Sequence, residues 1–135
     1  MAELKAASAS NRIPENFSYL TNAIPAYFEH ETDMIFRAAP HALIISAPSD
    51  APCPGEDVTL ALAYFELLAQ SAGLGTVWWG MLKMTLESLP ELKPLFGLPP
   101  NHVYYGMLFG VPDVRFIRTV QHDDAAKIIK IKVTD

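Results

Sequence analysis

The 135-residue sequence predicts an α+β domain whose sheet strands lie far apart along the chain. Three stretches carry that reading. The runs at 41–47 (HALIISA) and 102–111 (HVYYGMLFGV) are apolar without alternation, the pattern of strands covered on both faces. Between them, residues 55–72 repeat apolar side chains every three or four positions, the pattern of a helix. No internal repeat or low-complexity tract interrupts them, so residues 15–135 read as a single domain. A chain of this length buries roughly two-thirds of the surface its unfolded form exposes. Half of the residues are hydrophobic, at the upper edge for so small a domain, and the surplus implies an oligomer.

Taken in order, residues 1–14 are small and polar and read as a flexible lead-in. Phe17, Leu20, Ile24 and Phe28 then predict an amphipathic helix over 15–32, which restarts or kinks at Pro25. The cluster Glu29-His30-Glu31-Thr32-Asp33 closes it. Consecutive residues fan around a helix instead of converging on an ion, so the cluster reads as a solvated acidic end. Residues 36–40 lead into the first strand, and 48–54, with three prolines, form a turn-rich loop. Cys53 stands there without a histidine or basic neighbour and reads as incidental.

The helix that follows opens with Glu56 and Asp57 at the positive end of its dipole. Val58, Leu62, Phe65 and Ala69 share one face; Leu60, Tyr64, Leu67 and Leu68 share another. Only a narrow seam of Thr59, Ala63, Glu66 and Gln70 separates them. A helix apolar on two sides needs its own sheet on one and a second partner on the other, plausibly another copy of itself. Gly73 reads as a left-handed C-cap with Leu74 folding back. Residues 76–79 are a short extended piece, 81–89 a helix, and 90–97 a short helix ended by its glycine. In the second long strand, Gly106 and Gly110 leave room for a ligand or a neighbouring helix. In the 112–135 tail, Ile129, Ile131 and Val133 alternate with Lys130 and Lys132, which reads as an edge strand in search of a sheet.

The net charge of −5 argues against nucleic acid and against a basic membrane-surface protein. Its distribution is uneven, with five of the ten basic residues after position 114. The start lacks a signal peptide's apolar core, and the most apolar window is broken too often to span a bilayer. One cysteine forms no internal disulfide, so a reducing, cytoplasmic setting is expected. The four histidines are scattered, without metal-ligand spacing, and no serine sits in a nucleophile elbow. Chemistry here would be carried by a cofactor.

GLGTVWWG, residues 73–80, is not a dinucleotide fingerprint: a helix precedes it and Trp78 replaces the third glycine. Two readings stay open. One is a helix cap followed by a buried aromatic strand; the other is glycines exposing backbone N–H groups to a planar ligand walled by Trp78 and Trp79. Arg118, isolated after the second strand, reads either as a surface charge or as a phosphate ligand.

FRAAPHALII, the helix ending LAQSAGLGTVWWG, and LFGLPPNHVYYGMLFGVP, in this order, resemble the carboxy-terminal half of the flavin-dependent nitroreductase family, most closely members fused to a ferredoxin-type domain. The resemblance covers residues 33–135. It implies a mixed or antiparallel sheet flanked by helices, a homodimer packed through the helix at 56–72, and FMN at the dimer interface. Electrons would pass from NAD(P)H or another donor to nitroaromatic, quinone or similar small-molecule acceptors. By the same resemblance Gly75, Trp78, Trp79 and Gly80 lie along the flavin ring, Arg118 and secondarily Arg115 reach the FMN phosphate, and 130–133 is an arm crossing to the partner. Family members open with an R-R-S-x-R segment and an Asn/Gln loop. Here Arg12 stands alone in SASNRIP, which implies a chain truncated on its amino-terminal side and a weakened flavin site.

Overall fold

A computed structural model describes residues 1–114 and Ile129. The predicted edge strand and arm at 130–133 lie outside the described residues, as do Arg115 and Arg118. Among the described residues a three-stranded antiparallel sheet, in the order β1-β3-β2, is built from β1 (His41–Pro48), β2 (Gly75–Trp78) and β3 (His102–Gly110). The central strand β3 is the longest of the three. It pairs Ala42 with Leu108 and Ile45 with Tyr105 on one side, and Val77 with Leu108 on the other.

Helix α3 (Pro54–Ser71) covers one face of this sheet. Val58, Leu62 and Met107 are buried there, with Leu43, Ile45, Ala47, Phe65 and Tyr105 packed against them. Helix α4 (Gly80–Ser88) and the short 3-10 segment Pro90–Phe96 belong to the core on the other face, where Leu82, Leu86, Leu89, Leu98, Tyr104 and Leu108 are buried. Period-two alternation along β3 explains the division: Tyr104 and Leu108 face one core, Tyr105 and Met107 the other.

Two expectations change at the amino-terminal side. The stretch read as a flexible lead-in contains a helix, α1 (Ala2–Ala9), whose Leu4 and Ala7 are buried in the α4-side core. Its composition, AELKAASA, is that of a good helix former, and two apolar contacts hold it. The helix expected over 15–32 is instead a 3-10 segment, Glu15–Asn22, followed by α2 (Ala23–His30). Pro25 falls in the first turn of α2, where its missing N–H is one the helix cannot use. Phe28, expected on the buried side, is exposed, with the Lys5 ammonium 4.7 Å from its ring centroid. The Arg12 guanidinium meets Glu91 at 2.6 Å, and that hydrogen bond holds the Glu91 carboxyl below its ordinary value. Asp33 does more than end a helix, since its Oδ1 accepts the N–H groups of Ile35 and Phe36 at 3.0 and 2.9 Å and starts the next turn.

The end of α3 follows the sequence closely. Gly73 has φ +77°, its N–H donates to the Gln70 carbonyl at 3.0 Å, and the Leu74 N–H reaches back to Ala69 at 2.9 Å. These are the two crossed bonds of a Schellman motif. They turn the chain sharply enough for β2 to run back beneath the helix it has just left. A Cβ at Gly73 would meet no atom within 4 Å, so the cost of adding one is conformational alone. Gly73→Ala is expected to lower stability by about 1 kcal/mol. Gly55→Ala, in the first turn of α3 with equally open surroundings, is expected to be neutral or slightly stabilising; urea denaturation of both variants checks the contrast.

Candidate functional site

The adjacent tryptophans at the end of β2 point to opposite sides of the chain, as successive strand residues must. Trp79 is 2% exposed and Trp78 is 36% exposed. The Trp79 indole belongs to the core: its Nε1–H donates to the Ile35 carbonyl at 2.7 Å, and its ring packs on Phe36 and Phe96. Its backbone N–H is also used, donating to the Gly106 carbonyl at 2.8 Å. Of the two predicted walls, only Trp78 presents its side chain to the surface.

Glu66 holds Trp78 in place. One carboxylate oxygen accepts the Trp78 Nε1–H at 3.0 Å and the other accepts the Thr76 hydroxyl at 3.1 Å. The Trp78 ring also meets Tyr105 edge to face, with centroids 5.7 Å apart. The bond from Trp79 to Gly106 extends the β2-β3 ladder by one residue and fixes its phase. Residues 75, 77 and 79 therefore bond inward to β3, while the backbone groups of Thr76 and Trp78 face the outer edge.

Gly80 begins α4 directly after this edge, and among the described residues no side chain caps that helix. Its first amide N–H groups have no acceptor within the helix and lie at the positive end of its dipole. A Cβ at Gly80 would come 3.2 Å from the Tyr105 hydroxyl, so the glycine lets tyrosine and helix start meet. The Lys83 ammonium, one turn on, stands 5.7 Å from the Tyr105 ring centroid. Gly75 packs close to Pro112, Gly110 beneath Pro40, and Gly106 beneath Trp79 and Leu82. Of the two readings of Gly106, room for a neighbouring helix is the one observed.

The exposed part of this site is thus Trp78, Tyr105, Lys83 and the start of α4, joined to α3 through Glu66. The structure brings Trp78 and Gly80 together at one edge and puts Gly75 at the far end of the same short strand. The role of Glu66 was missed because its partners lie ten and twelve residues on, beyond a sharp turn. The only sequence signal was a lone carboxylate in the otherwise uncharged stretch of the helix after Asp57.

Other polar groups fall elsewhere. His41 stacks on Phe109, and His102 Nδ1 lies 3.0 Å from Ser46 Oγ across the β1-β3 pair. Among the described residues no group of histidine, cysteine, aspartate or glutamate side chains can hold a metal ion, and no helix is long and apolar enough to cross a membrane. A shallow groove of about 570 Å³ is lined by Ser8, Asn11, Ile13, Pro14, Glu15, Ser18 and Thr21, none of them from the tryptophan edge.

The model of the nitroreductase family matches residues 3–111, most of the chain. The chain belongs to the nitroreductase family. It is a nitroreductase-like oxidoreductase domain with an α+β fold, and the match takes in α1 and α2 as well as the segments from Asp33 onward. No curated protein and no solved structure matches it.

FMN is the cofactor that this family generally uses. The tryptophan edge offers what a flat, electron-accepting ring would need: an exposed aromatic side chain and, at a start of α4 that no described side chain caps, amide donors. The site chemistry and the core chemistry of this nitroreductase-family domain stay separate. On the α4 side, burial and then the Glu87 carboxylate push the Tyr104 phenol up to about 12 from its ordinary 10.0. The Tyr104 hydroxyl is buried and, among the described residues, finds no hydrogen-bond partner. A phenol whose folded-state pKa is raised gives stability that is present below its unfolded pKa and lost as pH rises toward the folded value. Wild-type stability should therefore fall between about pH 10 and 12 for this reason. Tyr104→Phe should flatten that fall and, by removing an unpartnered hydroxyl, cost less than about 1 kcal/mol at neutral pH. Denaturant titrations in steps of pH check both.

Proposed function

We propose that the chain is an FMN-linked oxidoreductase of the nitroreductase type. In this reading it works in the cytoplasm as a homodimer and passes electrons from NAD(P)H or another donor to nitroaromatic, quinone or similar small acceptors. The family match across residues 3–111 carries the proposal. FMN, when bound, supplies the electron-transfer chemistry that no side-chain constellation among the described residues supplies. Trp78 and the first amides of α4 are the groups that would hold and orient the ring edge. The Trp79 amide is already bonded to Gly106, so Gly80 is the better donor of the two. The phosphate falls to Arg118 and secondarily Arg115, outside the described residues.

The outer face of α3 supports the homodimer. Leu60, Tyr64 and Leu67 are 68, 66 and 67% exposed, and Leu68 is half exposed beside them. Fully burying side chains of this size stabilises by roughly 1.5–3 kcal/mol each. Four of them along one helix face, with small residues Ala61 and Ala72 also exposed, suit a second copy of the same helix.

One observation favours a second reading, a dimeric scaffold of the same fold that does no flavin chemistry. The Trp79 indole and amide are both used internally, and Gly75 and Gly80 are crowded by the chain's own atoms. Less of the loop is therefore available to a ligand than its sequence suggests. Absorption of the purified protein separates the two readings. Yellow protein that retains FMN near one per subunit is the expected result; colourless protein that does not take up added FMN would establish the scaffold. Light scattering should give a dimer, and Leu67→Glu, which puts a charge in the middle of the α3 face, should give a folded monomer. A wild-type monomer would remove the dimer from the proposal.

A further inference from the structure

We infer that Glu66 is a positioning residue for the ligand edge, and that it couples the central helix to that edge. The inference rests on the FMN reading only for its effect on ligand affinity. Glu66 lies in the narrow seam between the two apolar faces of α3, and it is half-buried. Its two oxygens are both engaged, one by the Trp78 indole and one by the Thr76 hydroxyl. Those two residues are the ones whose backbone groups face the outer edge of β2. A single carboxylate therefore fixes one aromatic side chain and the strand position two residues before it.

Without Glu66 the Trp78 indole keeps its edge-to-face contact with Tyr105 but loses the bond that selects one ring orientation. An exposed tryptophan held by packing alone samples more than one rotamer. A planar ligand stacked beside it then has to order the ring on binding, and its affinity falls. The carboxylate also ties β2 to α3 across the Schellman turn. The helix whose outer face is free in one chain thereby holds the ligand edge from its inner side.

Chemistry predicts which replacements work. Glutamine has the length of glutamate, and its carbonyl can accept the indole N–H while its amide donates to the Thr76 oxygen. Alanine offers neither, and aspartate is one methylene too short. The test uses the full chain. The indole N–H signals of the two tryptophans are recorded by ¹H–¹⁵N NMR, with the Trp78 signal assigned by its loss in Trp78→Phe, and FMN affinity is measured by quenching of flavin fluorescence.

Glu66→Ala should move the Trp78 indole signal upfield, speed its exchange with solvent and weaken FMN binding by about tenfold. Glu66→Gln should leave the signal slow to exchange and the affinity within about threefold, while the Trp79 signal stays unmoved in both. An unchanged Trp78 signal in a folded Glu66→Ala variant would overturn the inference. So would equal loss of affinity in the glutamine and alanine variants, or an affinity that Glu66→Ala leaves untouched although the indole signal has moved. Wild-type protein that binds no FMN would sink the flavin reading, and the positioning role would then be decided by the indole signals alone.

Discussion

The structure depends on a helix that cannot satisfy itself. Helix α3 carries two apolar faces, and the three described strands cover only one of them. Val58, Leu62 and Ala69 go inward and are buried, while Leu60, Tyr64, Leu67 and Leu68 remain outside. Exposed apolar residues scattered singly are ordinary, but four gathered on one helix face mark an interaction surface. The sheet beneath inherits the constraint. Its central strand β3 must be apolar on both sides because α3 takes one and the α4 layer takes the other, which is why its sequence does not alternate.

The same alternation that divides β3 divides the tryptophan pair. Two adjacent tryptophans on a strand cannot both face a ligand, so the chain commits one to the core and one to the surface. Trp79 satisfies its indole N–H within the core, on Ile35, as a buried indole must. Trp78 satisfies its own on Glu66, a side chain of the neighbouring helix. One residue thereby stabilises the layer beneath the sheet and the other shapes its edge. The glycines around them follow from packing: each lies where another part of the chain comes close, Tyr105 at Gly80, Leu82 and Trp79 at Gly106, Pro40 at Gly110.

Much of this was legible in the sequence because it rests on period and punctuation. The two apolar runs, the two-sided helix and the left-handed glycine at 73 are local patterns with one physical solution each, and β1, β3, α3 and the Schellman turn follow them. The amino-terminal elements were harder to read. A helix as short as α1 is marginal alone, and its existence depends on Leu4 and Ala7 finding a core assembled from residues far along the chain. The split of 15–32 into a 3-10 segment and α2 turns on packing of Leu20 and Ala23, which periodicity does not resolve. At the site, the resemblance picked out Trp78 and Gly80 as neighbours, but a carboxylate shared between Thr76 and Trp78 exists only after the chain has turned back on itself.

The two halves of a flavin site make different physical demands, and in the reading proposed above they would fall in different parts of this chain. A flat ring needs an aromatic neighbour and donors fixed in direction, which backbone supplies well: the start of α4 cannot move without unwinding a helix, and the ladder bond from Trp79 sets its distance from β3. A phosphate needs charge, and the cations among the described residues are mostly engaged. Arg12 pairs with Glu91, while Lys5, Lys83 and Lys93 each stand over an aromatic ring. Arg37 lies in a turn with positive φ, on the surface beside Phe36. The chain's other five basic residues follow position 114. Among the described residues the sheet and its helices offer an aromatic edge and fixed amide donors, and in the proposed reading the phosphate, with most of the affinity that charge-assisted bonds confer, would fall to the basic residues after position 114.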